Sequence, residues 1–151
     1  MDACSGTAPR WNSVTPVSDP YAHPDVSTII RLALDEDLRG GVDVTCQALV
    51  PASARLSGTV RAKDHGVVCG LPLFATVFAA CGGGVELSAM VADGTVVSPG
   101  DVVLRFHGSA RTLLTGERTA LNLAQRLSGT ATMTRALVDA CLLYTSPSPR
   151  D

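Results

Sequence analysis

Arg118, Asn122 and Gln125 fall at i, i+4 and i+7 of the stretch LLTGERTALNLAQRLSG, residues 113–129. That spacing puts all three on one helical face. Solvated helix faces commonly alternate Glu with Lys, whereas an Arg followed by two amides lines a wall with hydrogen-bond donors. Thr115 is placed to cap the helix start, with Gly116 and Glu117 in a first turn where an acid complements the helix dipole. An Arg in that position adds its fork of N–H groups to the free backbone N–H groups of the turn. The combination suits a carboxylate or a phosphate. The same spacing also fits an Arg that pairs with Glu117 or another acid nearby, and the pattern leaves both readings open.

Other chemistry-bearing residues point less far. Lys63 is the only lysine among twelve basic side chains, so Schiff-base or lysine-carrier chemistry would rest on one amine. DGTVVSPGDVVLRFHG reads like the hairpin of biotinyl and lipoyl carrier domains, but it contains no lysine to modify. His23, His65 and His107 stand far apart with no H-x-x-x-H spacing, and are expected on the surface or in turns rather than around a metal. The glycines of CGGGVELS follow an apolar helix and lack the lysine of a phosphate loop, so they read as a helix stop. The five cysteines (Cys4, Cys46, Cys69, Cys81, Cys141) are scattered, odd in number and without a C-x-x-C pair. They read as free thiols.

The elements that would position these residues follow from periodicity. DVSTIIRLALDEDL sets Val26, Ile29, Ile30, Ala33, Leu34 and Leu38 on one stripe, with an Asp or Ser to cap it and RGG to end it. SGTVRAKDHG alternates Val60 and Ala62 with Arg61 and Lys63, a half-buried strand. LPLFATVFAACGGG predicts a short apolar helix. Val85, Leu87, Ala89, Val91 and then Val102, Leu104, Phe106 mark two strands separated by DG and PGD turns. The helix that carries Arg118 follows, with Ala120, Ala124 and Leu127 as its buried stripe, and TATMTRALVDAC begins another after Gly129. The order predicts an α+β fold with a mainly antiparallel sheet and packed helices.

With 151 residues and 46% hydrophobic side chains the chain can bury a core, and a net charge of −2 offers no basic footprint for nucleic acid or anionic lipid. No apolar run reaches the roughly 20 residues that cross a bilayer, and the first residues lack a signal-peptide core, so the expected location is the cytoplasm.

Four segments, in order, resemble the quinolinate phosphoribosyltransferases (nicotinate-nucleotide pyrophosphorylase, carboxylating). They are ALDEDLRGGVDVTCQALVP, RAKDHGVVCGLPLF, DGTVVSPGDVVLRFHGSARTLL and LLTGERTALNLAQRLSGTAT. The first follows the family's A-L-x-E-D-x-G-x-G-D-x-T pattern with one extra residue between Leu38 and Asp43. The resemblance covers about residues 26–141. It implies an N-terminal α+β domain followed by the first helical segment of a truncated α/β barrel. It also implies an enzyme that joins quinolinate to phosphoribosyl pyrophosphate with Mg²⁺ and releases pyrophosphate and carbon dioxide, giving nicotinate mononucleotide for NAD synthesis. Carried over, the Arg of the family's E-R-T motif is Arg118, which contacts quinolinate from the neighbouring subunit of a homodimer or larger homo-oligomer. The family's remaining site residues lie in the barrel, so no catalytic residue or metal ligand is expected in this chain, which alone should be inactive. The domain plan is a mobile tail over 1–25, the α+β domain over 26–116, the barrel start over 117–141 and a non-family tail over 142–151. That last stretch, ending LLYTSPSPRD, has no helix or strand pattern and reads as adapter or vector sequence, or else as a natural disordered tail. Rival functions are a transferase-like paralogue with another substrate and a non-catalytic carrier or interaction module.

Overall fold

Proline sets the first helical angle and lacks only an N–H that would have no partner anyway, and Pro24 opens α1 (Pro24–Leu38). The structure, a computed structural model, describes residues 19–144. His23, rather than an Asp or Ser, caps α1, its ring nitrogen accepting from the Asp25 N–H at 3.2 Å. Residues 19–25, expected in the tail, instead form a 3-10 turn (Pro20–Ala22) and the entry to α1. The rest of the expected tail, 1–18, and residues 145–151 lie outside the described residues. Ile30 and Leu34 are buried on α1, but Ile29 is 54% exposed, because the contact face is narrower than the apolar stripe.

After a turn comes α2 (Val44–Leu49), a single short helix with no buried residue and therefore no periodicity to announce it. Then follow β1 (Arg55–Arg61), β2 (Gly66–Val67), α3 (Pro72–Ala80), β3 (Val85–Ala89), β4 (Val96–Val97), β5 (Val102–Ser109) and α4 (Ala110–Tyr144). β5 is the central strand of an antiparallel sheet ordered β1-β5-β3, and β2 pairs with β4 in a second, two-stranded antiparallel sheet. The carrier-like hairpin is absent: β4 turns to β2, while β5 takes β1 and β3 as neighbours.

Alternation decides which sheet face is covered. Leu104 pairs with Val60 and Ala89, and Phe106 with Gly58 and Leu87, so these side chains share one face. Leu104, Phe106, Val60 and Leu87 join Ile30, Phe74, Val77, Phe78, Leu113 and Ala120 in the core between sheet and helices, whereas Ala89, at the end of β3, is exposed. Removing Leu104, 2% exposed, would cost about 2–5 kcal/mol by lost transfer energy and cavity formation.

The largest departure from expectation is α4. One continuous helix of 35 residues replaces the two helices read on either side of Gly129 and passes unbroken through the 116/117 boundary. It starts at Ala110, not Thr115, because β5 feeds straight into it: the Ser109 hydroxyl accepts from the Thr112 N–H at 3.4 Å. Glycine inside a helix costs only about 1 kcal/mol, and side-chain bonds on either side hold the helix through Gly129. The Ser128 hydroxyl accepts from the Cys69 N–H at 2.9 Å and donates to its carbonyl, and the Thr132 hydroxyl accepts from the Val67 N–H at 2.9 Å. The helix continues to Tyr144, three residues into the stretch read as structureless.

Candidate functional site

A helix turns about 100° per residue, so Arg118 stands on the side of α4 opposite Ala120, which is fully buried. Arg118 lies two turns inside the helix, where backbone N–H groups are spent on intrahelical bonds. The expected cluster of free N–H groups beside it is therefore absent, and Thr115 is no cap. The Thr115 hydroxyl instead donates to Asp43 Oδ2 at 3.4 Å.

Arg118 pairs with an acid that is remote in sequence, not with Glu117: its Nε lies 3.4 Å from Asp37 Oδ1 on α1. The Asp37 side chain is 26% exposed and that of Arg118 is 78% exposed. Asp37 Oδ2 also accepts the Thr119 hydroxyl at 3.3 Å. Further up the same seam, Arg111 Nε donates to the Val50 carbonyl at 2.7 Å and Nη2 to the Gln47 carbonyl at 3.1 Å, securing the end of α2. Positions 111, 115, 118 and 119 thus form a polar seam along α4 that faces α2 and α1. Asp43 sits at its centre and caps α2 by accepting from the Cys46 N–H at 2.9 Å. The Cys46 thiol, the Cys46 amide and the Thr115 hydroxyl hold the Asp43 carboxyl below the usual range. The same carboxylate pushes the Cys46 thiol up, which makes it a poor nucleophile.

Asn122 and Gln125 are exposed on the face that bears Arg118, but the wall divides. Gln125 and Glu117 border an apolar groove of about 700 Å³ between α4, β1 and α3, floored by Val68, Phe74, Leu113 and Leu121, whereas Arg118 stands outside it. Lys63 and His65 lie at the rim of this groove. Near its end Asp93 accepts from the Gly70 N–H at 2.8 Å, from Leu71 N–H at 3.2 Å and from the Tyr21 hydroxyl. Burial first, then the bond to Asp93, raises the Tyr21 pKa far above its ordinary value. His107 meets the Ser57 hydroxyl at 2.7 Å on the open sheet face, so the three histidines serve three separate places.

Among the described residues no group of three or more His, Cys, Asp or Glu could hold a metal ion. No described helix is long and apolar enough to cross a membrane. The sequence singles out Arg118 as a candidate but not Asp37, Asp43 or Arg111, the other polar members of the seam. Arg111 stands seven residues before Arg118, on the same seam, and that spacing was the available signal.

An antiparallel α+β domain whose central strand runs directly into a long helix is the arrangement in which this chain is similar to solved NadC structures. Residues 43–128 match the model of the quinolinate phosphoribosyl transferase N-terminal domain, and the chain belongs to that family. It is 39% identical over 136 residues to a chloroplastic carboxylating nicotinate-nucleotide pyrophosphorylase of Oryza sativa, covering 86% of this chain and 36% of that protein. It is 42% identical over 113 residues to the carboxylating nicotinate-nucleotide pyrophosphorylase of Mycobacterium leprae, covering 74% of this chain and 40% of that one. The crystal structure of NadC from Streptococcus pyogenes superposes with a TM-score of 0.71 at 36% identity, over 77% of this chain and 41% of that chain. The chain therefore spans roughly two fifths of the length of the relatives it matches.

Proposed function

We propose that this chain is the N-terminal part of an enzyme that transfers the phosphoribosyl group of phosphoribosyl pyrophosphate to quinolinate, forming nicotinate mononucleotide, pyrophosphate and carbon dioxide. Arg118 binds a carboxylate of quinolinate across a homodimer interface. The observation that carries this reading is the placement of Arg118, charged and exposed on the side of α4 opposite its buried stripe, within the segment that matches the family. Mg²⁺, supplied with the phosphoribosyl donor, would screen the charge of the departing pyrophosphate. The protein works in the cytoplasm in this reading. Relatives named for the chloroplast and the mitochondrion make cell fractionation the check on that point.

The test is quinolinate affinity in the full-length enzyme. A two-point, charge-assisted contact sheltered from water is worth about 2–4 kcal/mol, so Arg118→Ala should weaken quinolinate binding roughly 30-fold to 1000-fold with little change in melting temperature. Arg118→Lys keeps the charge but loses the planar fork, and should recover only part of the affinity. A residue serving only as a surface ion pair contributes at most about 1 kcal/mol. Unchanged affinity in both variants would sink the carboxylate role.

A further inference from the structure

An exposed arginine is a poor binding group unless something holds it. Its long side chain samples many rotamers, and a two-point contact to a planar carboxylate demands one orientation of the guanidinium. The seam between α1 and α4 supplies the restraint. Arg118 approaches Asp37 with its Nε corner, 3.4 Å from Oδ1, as an ion pair rather than a hydrogen bond, and its two terminal nitrogens make no hydrogen bond among the described residues. The acid is itself held: its second oxygen accepts the hydroxyl of Thr119, a residue only 4% exposed. Ile30 and Leu34, buried on the same helix as Asp37, anchor α1 against the core.

We infer that Asp37 is a positioning residue for substrate binding: it fixes the Nε corner of Arg118 so that the terminal nitrogens stand ready as a fork for an incoming carboxylate. The inference rests on the carboxylate-binding role proposed above for Arg118. Two consequences of the pair oppose each other. The negative charge of Asp37 reduces the pull of Arg118 on an anion, and the fixed orientation lowers the ordering cost of binding it. At a half-open site, solvent screens the first effect, while the geometric requirement of a two-point contact remains. The second effect prevails. A carboxylate at position 37 that merely clasped α1 to α4 would instead influence stability and leave substrate recognition alone.

A double-mutant cycle in the full-length enzyme separates these roles. Asp37→Asn keeps the size of the side chain and an oxygen for Thr119 but removes the charge that holds Arg118. It should raise the KM for quinolinate roughly twofold to fivefold, the scale on which a partly exposed ion pair acts, and leave the KM for the phosphoribosyl donor unchanged. In an Arg118→Ala background it should add nothing. If Arg118→Ala raises the quinolinate KM while Asp37→Asn does not, or if Asp37→Asn acts equally with and without Arg118, the positioning role is overturned and the role of Arg118 survives. If Arg118→Ala itself leaves that KM unchanged, both fall together. Should Asp37→Asn fail to fold, Thr119→Val, isosteric but without the hydroxyl, should raise the quinolinate KM and Thr119→Ser should not. Equal values for those two variants would overturn the inference as well.

Discussion

Two side chains at opposite ends of the pH scale report how the N-terminal elements are tied down. The Asp43 carboxyl is held below its usual range by the Cys46 thiol and amide and by Thr115. A depressed acid stabilises the fold fully above its unfolded pKa of about 4, and the contribution is lost as pH falls through the folded value. The stability gap between the native chain and Asp43→Asn, measured by urea unfolding, should therefore close on acidification below about pH 4. Tyr21 is the mirror case. Its pKa is raised by burial and by the bond to Asp93, so its contribution is complete below about pH 10 and is lost as pH rises further. Tyr21→Phe should be less stable than the native chain at neutral pH, with the gap narrowing only above about pH 10. A gap independent of pH in either series would mean that the hydroxyl or the carboxyl takes no part in holding its element.

At the scale of elements, α4 carries two glycines with opposite expectations. A Cβ on Gly116 would lie 2.9 Å from a ring carbon of Phe78 and 3.2 Å from the Cys81 sulfur, because α3 and α4 touch there. Gly116→Ala should destabilise by about 1–3 kcal/mol through overpacking. A Cβ on Gly129 meets nothing within 4 Å, and its backbone is helical without a positive φ, so Gly129→Ala should stabilise by up to about 1 kcal/mol. Thermal melts of the two variants check both signs. This contrast also explains what could be read in advance. The strands around Val60 and Val85 and the helix at Ile30 carry one apolar face each, and periodicity reports that face directly, whereas β5 buries Val103 as well as Leu104 and so both of its faces. Glycine is silent by comparison: at Gly129 it reads as a stop and at Gly116 as a helix start, since only the neighbouring α3 and β2 decide the outcome. The α2 helix escaped for the same reason, being held by the Asp43 cap and the Arg111 fork rather than by an apolar stripe. Arg118 was legible as a candidate because the helical phase exposes it. Its partner Asp37 was not, because it lies far away in sequence and only the folded pair of helices brings the two together.

For the whole molecule, the groove of about 700 Å³ beside α4 and the exposed Met133, Leu137 and Val138 farther along it leave much apolar surface uncovered. The described residues bring a single candidate substrate-binding cation to a reaction between two anions. The 151-residue chain by itself should form no nicotinate mononucleotide from quinolinate, phosphoribosyl pyrophosphate and Mg²⁺. Product above background in a radiolabelled assay would contradict the division of labour proposed here. The unbroken course of α4 also determines where the chain can change its length. Arg111, Thr115, Arg118, Thr119, Ser128 and Thr132 all reach partners outside the helix from one continuous screw. Inserting one residue between Thr119 and Ser128 would turn every later position by about 100° and advance it about 1.5 Å, exchanging the side that meets β2 for one that does not. The turn between α1 and α2 works differently. There Arg39 at φ 52° and Gly40 at φ 69° already take left-handed conformations, with open space around Gly40. Insertions and deletions are therefore absorbed in the turn, whereas in α4 even one would separate the tie to α1 from the tie to the small sheet.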